Sequence, residues 1–334
     1  MLKLRPTKNL LGITILGDHE DLNALRDAIS DFTNLYMSNQ ESPDAYNCYE
    51  CVLGLCYDLR HAFQGDRGYE SVPNNADGLA AFAECLYELP ADAKRSIARD
   101  RRLYKNGNLY FSADILFPWA IYYLYVLQAI SDAPCQSSWF DNIDFDYDEF
   151  RAERDAALIR YFVQLLWECV LTLLPSDVFH VIWDYTRTFA HTEFYISYPD
   201  LYLEWLCHYW AIAAKSRETR VSLLPMLFLE LTPICLEDEE NLLEDNDTDD
   251  PKLSSFIQSI NQNTLKALQL YDEYYTLSQE ACSVPFQDLF GFEAELGDYI
   301  DENGPFTQDS FDEYCDRELG EVDWDRIVFT VTGT

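Results

Sequence analysis

The chain has 334 residues, 48% of them apolar and 15% aromatic, with 23 Tyr, 20 Phe and 7 Trp, a content of large side chains that a disordered protein does not carry. Its 59 acidic and 23 basic residues leave a formal net charge of −36, and beyond residue 236 the imbalance is 26 acids to 4 bases. That part repels phosphate backbones, which excludes direct nucleic-acid binding by it and favours a basic protein partner.

In chain order, Leu10 to Leu16 reads as a short strand ending at Gly17-Asp18, with Asp18 and Asp21 as a helix N-cap pair. Leu22, Leu25, Ile29, Phe32 and Tyr36 then recur at helical spacing. A second helix is expected over Asp44 to Gln64, with Tyr49, Val52, Leu53, Cys56, Leu59 and Phe63 inward and Gly65 as its stop. Gly68 to Val72 reads as a strand and Asp77 to Leu89 as a helix. The one basic cluster follows: Lys94, Arg95, Arg99, Arg101, Arg102 and Lys105. Asn108 to Leu116 suggests a strand, and Pro118 opens a helix running to about Ile130.

Ala133 to Phe150 looks like a connector, and helices are expected over 151 to 174, 176 to 190 (capped by Ser176), 199 to 215 and 221 to 232, with Arg217-Glu218 between the last two. Ala156 to Leu174 approaches the length of a membrane span, but Arg160, Gln164, Glu168 and Thr172 form a polar stripe, so a core helix is expected. Glu237 to Asp250 holds nine acids in fourteen residues and reads as an acidic linker. Ser254 to Cys282 returns to helical spacing, and Asp288 to Asp325 interleaves acids with aromatics in the manner of an interaction segment.

The fold class that follows is an α+β N-terminal module followed by a mainly α-helical module. The expected units are 1–132, a connector at 133–150, a helical module at 151–236, an acidic linker at 237–253 and a helical, acidic segment at 254–334. The ten cysteines, mostly inside apolar runs, read as reduced core residues. The N-terminus lacks the pattern of a signal peptide, so the cytoplasm is the expected location.

The densest set of chemically capable side chains is Asp58, Arg60, His61, Asp66 and Arg67. On a helix Asp58 and His61 share a face, so the carboxylate could orient the imidazole for proton transfer; the alternative is a set of helix-end ion pairs and caps. Cys48, Cys51, Cys56 and His61 have spacings near those of a zinc knuckle, but the intervals are apolar, and a straight helix would spread the four too far to meet one ion. Asp144, Asp146 and Asp148 begin like a calcium loop that lacks its Gly and its closing Glu. No metal and no cofactor is therefore expected. Opposite charge suggests that the basic cluster docks the acidic tail of this chain or of a second copy.

Pro6 to Ile15 with Gly17-Asp18, Leu53 to Arg67, and Tyr110-Phe111-Ser112 with Ile115-Leu116-Phe117-Pro118 together resemble a bacterial family, a domain of unknown function, over about residues 1 to 130. The resemblance implies a bacterial or phage setting and draws attention to Tyr57 to Arg67, but carries no activity. Trp119 stands where that pattern leads one to expect a Glu.

The functional expectation is a non-enzymatic interaction protein whose acidic, aromatic-rich surface binds a basic or nucleic-acid-binding protein, in its sharpest form by imitating DNA. Its interaction residues would be Glu237, Asp238, Glu239, Glu240, Asp245, Asp247, Asp249, Asp250, Asp312 and Glu313. The alternatives are a hydrolytic or nucleotide-processing enzyme centred on Asp58 to Arg67, and a self-assembling structural subunit. No membrane association is expected.

Overall fold

A computed structural model of the chain describes residues 1–38, 43–72, 108–132, 148–188, 199–212, 216–231, 251–282, 286–304 and 307–322. The expected helix at 77–89, the basic cluster at 94–105, Asp144 and Asp146, and the acidic run at 237–250 lie outside these residues.

Two strands, β1 (Lys3–Pro6) and β2 (Gly12–Gly17), form an antiparallel hairpin. β1 has no periodicity long enough to announce it in the sequence; it exists because β2 offers it a ladder. The expected strand start also moves, because Leu10 takes a positive φ of 54° in the turn and its amide donates to the Thr7 carbonyl at 3.0 Å. After β2, Asp18 caps α1 (His19–Met37) through a reciprocal box with Asp21, a device worth ~1 kcal/mol. The expected face of α1 is buried at Leu22, Leu25, Ile29 and Phe32, with Tyr36 at its margin.

Helix α2 (Pro43–Gln64) buries Tyr49, Val52, Leu55, Leu59 and Ala62. Leu53, Cys56 and Phe63, expected inward, are only half-buried. The helix is apolar on more than one side, so spacing alone admits two stripes, and contact with α1 and the sheet selects one of them. Strands β3 (Gly68–Val72) and β4 (Asn108–Leu116) complete an antiparallel sheet of order β1-β2-β4-β3. Its register sets Arg5, Thr14 and Asp114 in one row, and Gly12 opposite Leu116. A Cβ on Gly12 would stand 1.8 Å from the Ile115 carbonyl oxygen, so only glycine allows this approach.

From β4 the chain enters α3 (Phe117–Asp132), which is buried on nearly all sides and touches the sheet, α1 and α2. It also packs on α4 (Glu149–Leu171), where Trp167 donates its indole N–H to the Gln128 side chain at 2.9 Å. Asp148, read as part of a cation loop, instead caps α4 by accepting from the Arg151 amide at 2.8 Å. The polar stripe Arg160, Gln164, Glu168 and Thr172 faces outward, and among the described residues no helix is long and apolar enough to cross a membrane.

Helices α5 (Ser176–Thr188), α6 (Pro199–Ile212) and α7 (Arg217–Glu230) follow. Ser176 is the first helical residue rather than the cap, since the Phe179 amide already reaches the Pro175 carbonyl. Arg217-Glu218, expected to separate two helices, forms the first turn of α7, because Ser216 supplies a cap by accepting from the Thr219 amide at 3.0 Å. Helices α8 (Pro251–Ala281), α9 (Leu289–Asn303) and α10 (Gln308–Leu319) complete the ten among the described residues. α8 packs on α5 and α7, and α10 on α6. The protein thus has a small α+β N-terminal part followed by a mainly helical part.

The two parts share one core. α4 packs on α1 and β1, and α6 on α2 and α3. Trp210 of α6 donates to the Leu10 carbonyl at 2.9 Å, and Arg220 of α7 donates to the Asn9 carbonyl at 2.9 Å and to the carbonyls of Trp210 and Ala211, both at 3.2 Å. A buried guanidinium therefore clamps the first hairpin turn onto the C-terminal end of α6, whose last carbonyls carry the negative end of the helix dipole.

Candidate functional site at the end of the second helix

Gly65 ends α2 with a φ of 89°, and two hydrogen bonds close the turn: the Gly65 amide to the Ala62 carbonyl and the Asp66 amide to the His61 carbonyl, both 3.0 Å. This is the Schellman arrangement, which turns the chain back along the helix it has just left. Asp66 and Arg67 are thereby delivered to the last two turns of α2. Asp66 Oδ2 lies 2.9 Å from His61 Nδ1, and Arg67 donates to Asp58 Oδ1 at 2.7 Å. Arg60 lies over the ring of Tyr57, 5.3 Å from its centroid, and His61 packs on the same ring at 4.2 Å.

The expected Asp58–His61 pair is not made. Each of the two bonds instead to a residue beyond Gly65, because the turn brings those partners closer than the helix brings the two to one another. Cys51, Cys56 and His61 sit along one continuous helix, and among the described residues no three metal-ligating side chains are grouped to hold an ion; the side chain of Cys48 lies outside the described residues.

On its other flank Asp58 faces a cleft of about 450 Å³, lined by Gly54, Tyr57 and Asp58 of α2, Asp114, Ile115 and Leu116 of β4, and Trp119 and Tyr123 of α3. Asp114 is fixed by the hydroxyl of its cross-strand neighbour Thr14, which donates to Oδ1 at 2.5 Å. Burial pushes the carboxyls of Asp58 and Asp114 upward from the usual range. It is opposed at Asp58 by Arg67, and at Asp114 by the Thr14 hydrogen bond and then by Arg5 and Arg67. Arg5 is itself held by Glu70 at 2.8 Å across the sheet. Tyr123 is 5% exposed, and burial with the nearby Asp58 charge pushes its phenol well above the usual value. A second hollow of about 340 Å³ lies across the Tyr57 ridge, lined by Arg26, Asp27, Ser30, Leu53, Cys56, Tyr57 and Arg60.

Of the residues singled out in the sequence, then, Asp58, Arg60, His61, Asp66 and Arg67 do come together, but as helix-end pairs. Asp114 and Tyr123 were not anticipated. Asp114 had one available signal, the lone carboxylate of its strand; Tyr123 looked like any other aromatic of an apolar helix. Of the expected interaction residues, Glu313 is exposed and Asp312 half-buried on α10.

A four-stranded antiparallel sheet backed by helices, with an acidic and aromatic cleft at one helix end, defines an α+β unit extended by helices. The chain belongs to the family described as a domain of unknown function, DUF6904, whose model matches residues 2–233. The match runs past the stretch on which the resemblance rested and takes in the helices through α7, in keeping with the shared core. No curated protein and no solved structure matches the chain.

Proposed function

We propose that this protein is a non-enzymatic interaction protein that holds a basic or nucleic-acid-binding protein partner on an acidic helical surface, in the manner of a DNA mimic. The observation that carries the reading is the sorting of side chains on α9 and α10. Phe292, Leu296, Phe311, Tyr314 and Cys315 are buried, with Phe292 against Tyr202 and Trp205 of α6 at 5.2 and 5.8 Å between ring centroids. Glu295, Asp298, Asp309, Glu313 and Asp316 are exposed. On α10, Asp309, Asp312, Glu313 and Asp316 follow helical spacing along one face, with neighbours about 5–6 Å apart. Carboxylates held on a packed helix present a basic groove with charge in fixed positions, so less ordering entropy opposes binding than with a loose acidic tail.

The test is affinity capture by the full chain from its host at about 0.1 M and about 0.5 M salt, since surface electrostatics weaken with ionic strength. The purified partner is then titrated against the Asp309→Asn/Asp312→Asn/Glu313→Gln/Asp316→Asn variant. A basic protein that is released by salt and loses at least tenfold in affinity for the variant is the expected outcome. Retention of no basic protein at the lower salt, or equal affinity for the variant, would end the proposal.

A further inference from the structure

We propose that the cleft between α2, β4 and α3 is a binding site for a small organic cation, an ammonium or guanidinium group on an apolar body, with Asp114 and Asp58 receiving the charge and Trp119, Leu116 and Tyr57 receiving the body.

Three features of the cleft combine. Its volume of about 450 Å³ falls in the range of small-molecule sites, which are largely apolar with a few placed polar groups. Its charge is unbalanced: Arg67 is committed to Asp58 and Arg5 to Glu70, so Asp114, whose one hydrogen bond is from the neutral Thr14 hydroxyl, faces the cleft without an ion-pair partner among the described residues. One positive charge restores neutrality. The third feature is Tyr123, a nearly buried side chain. Its hydroxyl stands at the cleft wall beside Gly54, 3.3 Å from where a Cβ on that glycine would lie. It opens on the cleft beside the carboxylate of Asp58, where it can meet a polar group of a ligand.

The aromatic residues decide the class of cation. Trp119 and Tyr123 pack ring to ring at 5.5 Å between centroids, and Tyr57 forms the rim, 54% exposed. Such walls favour a weakly hydrated organic cation, by apolar contact and by attraction to ring faces, over a bare metal ion, which would require three or more oxygen ligands. The carboxyls, destabilised by burial, regain stabilisation when the cation arrives, so binding is expected to release a proton wherever they are partly protonated.

The probe is phenethylammonium, with 3-phenylpropionate and 3-phenylpropan-1-ol as the anionic and neutral counterparts, followed by ligand-observed NMR and calorimetry on the full chain near neutral pH. The expected result is saturable binding of the cation alone. Asp114→Asn should weaken it at least tenfold, and Tyr123→Phe, which keeps the ring and removes only the hydroxyl, a few-fold. Unchanged circular dichroism and melting temperature identify the variants as folded, and Trp119→Leu gives an independent test of the aromatic wall if one of the polar variants fails to fold. No binding of phenethylammonium, equal binding of the propionate, or affinity indifferent to both Asp114→Asn and Trp119→Leu would each overturn the assignment.

Discussion

Replacing Arg220 by methionine keeps the apolar stem of the side chain and removes the guanidinium that clamps residues 9–11 to the end of α6. The group is 6% exposed and donates to three carbonyls at 2.9, 3.2 and 3.2 Å. Hydrogen bonds from a charged donor contribute roughly 1.5–3 kcal/mol each net, and three at the upper bound would sum to about 9 kcal/mol. Two of these are long, however, and the variant also escapes the cost of burying a cation, itself several kcal/mol. The expected loss is therefore about 3 kcal/mol, a large part of a typical stability of about 5–15 kcal/mol. With a urea m value near 3 kcal/mol per M, the midpoint should fall by about 1 M. The local signature is faster hydrogen exchange at the amides of Thr7 and Leu10, which donate within that turn, since a turn released from its clamp opens more readily than the sheet. A midpoint shift equivalent to less than about 1 kcal/mol, with unchanged exchange in the turn, would refute the clamp.

Gly12→Ala should destabilise by more than the usual glycine-to-alanine effect, because the added Cβ meets backbone that cannot rotate away; a soluble variant with a wild-type melting curve would contradict the register of β2 on β4. Tyr271→Phe removes the donor to one oxygen of Glu230, whose other oxygen accepts from Tyr202. The expected cost is ~1–3 kcal/mol, read by urea unfolding, with loosened exchange in α8. Asp114 has a folded pKa raised by burial, so its contribution to stability is fully present below its unfolded pKa and lost as pH rises through the folded value. Asp114→Asn should therefore gain stability relative to wild type on going from acid toward neutral pH, and a difference that shrinks over that interval would show the sign to be wrong. The thiols of Cys56 and Cys169, pushed up by burial to about 12, should react with iodoacetamide at pH 8 far more slowly in the native protein than in urea, as measured by mass spectrometry.

Local chemistry made much of the fold legible. Asp18 three residues before Asp21, Gly65 after an apolar helix, and Pro118 just beyond the strand Asn108 to Leu116 each specify their conformation through groups within a few residues, so they could be read without knowing what they pack against. The candidate residues Asp58 to Arg67 were found for the same reason, being close in sequence and rich in charge. What spacing could not supply was their pairing. Asp58 with His61 is the natural reading of a helix, and the Schellman turn instead hands Asp58 to Arg67 and His61 to Asp66.

Other features belong to tertiary structure alone. β1 is too short to announce itself and is a strand only because β2 pairs with it. The inward stripe of α2 is chosen by α1 and the sheet from a helix apolar on several sides. The carboxylates of Asp58 and Asp114 share a cleft only because β4 is laid beside α2. The clamp of Arg220 on Asn9 joins residues 211 positions apart. Periodicity and capping report interactions that close within a turn or two of chain, whereas burial, clefts and long-range clamps depend on which surfaces meet, and that is decided only when the whole core has assembled.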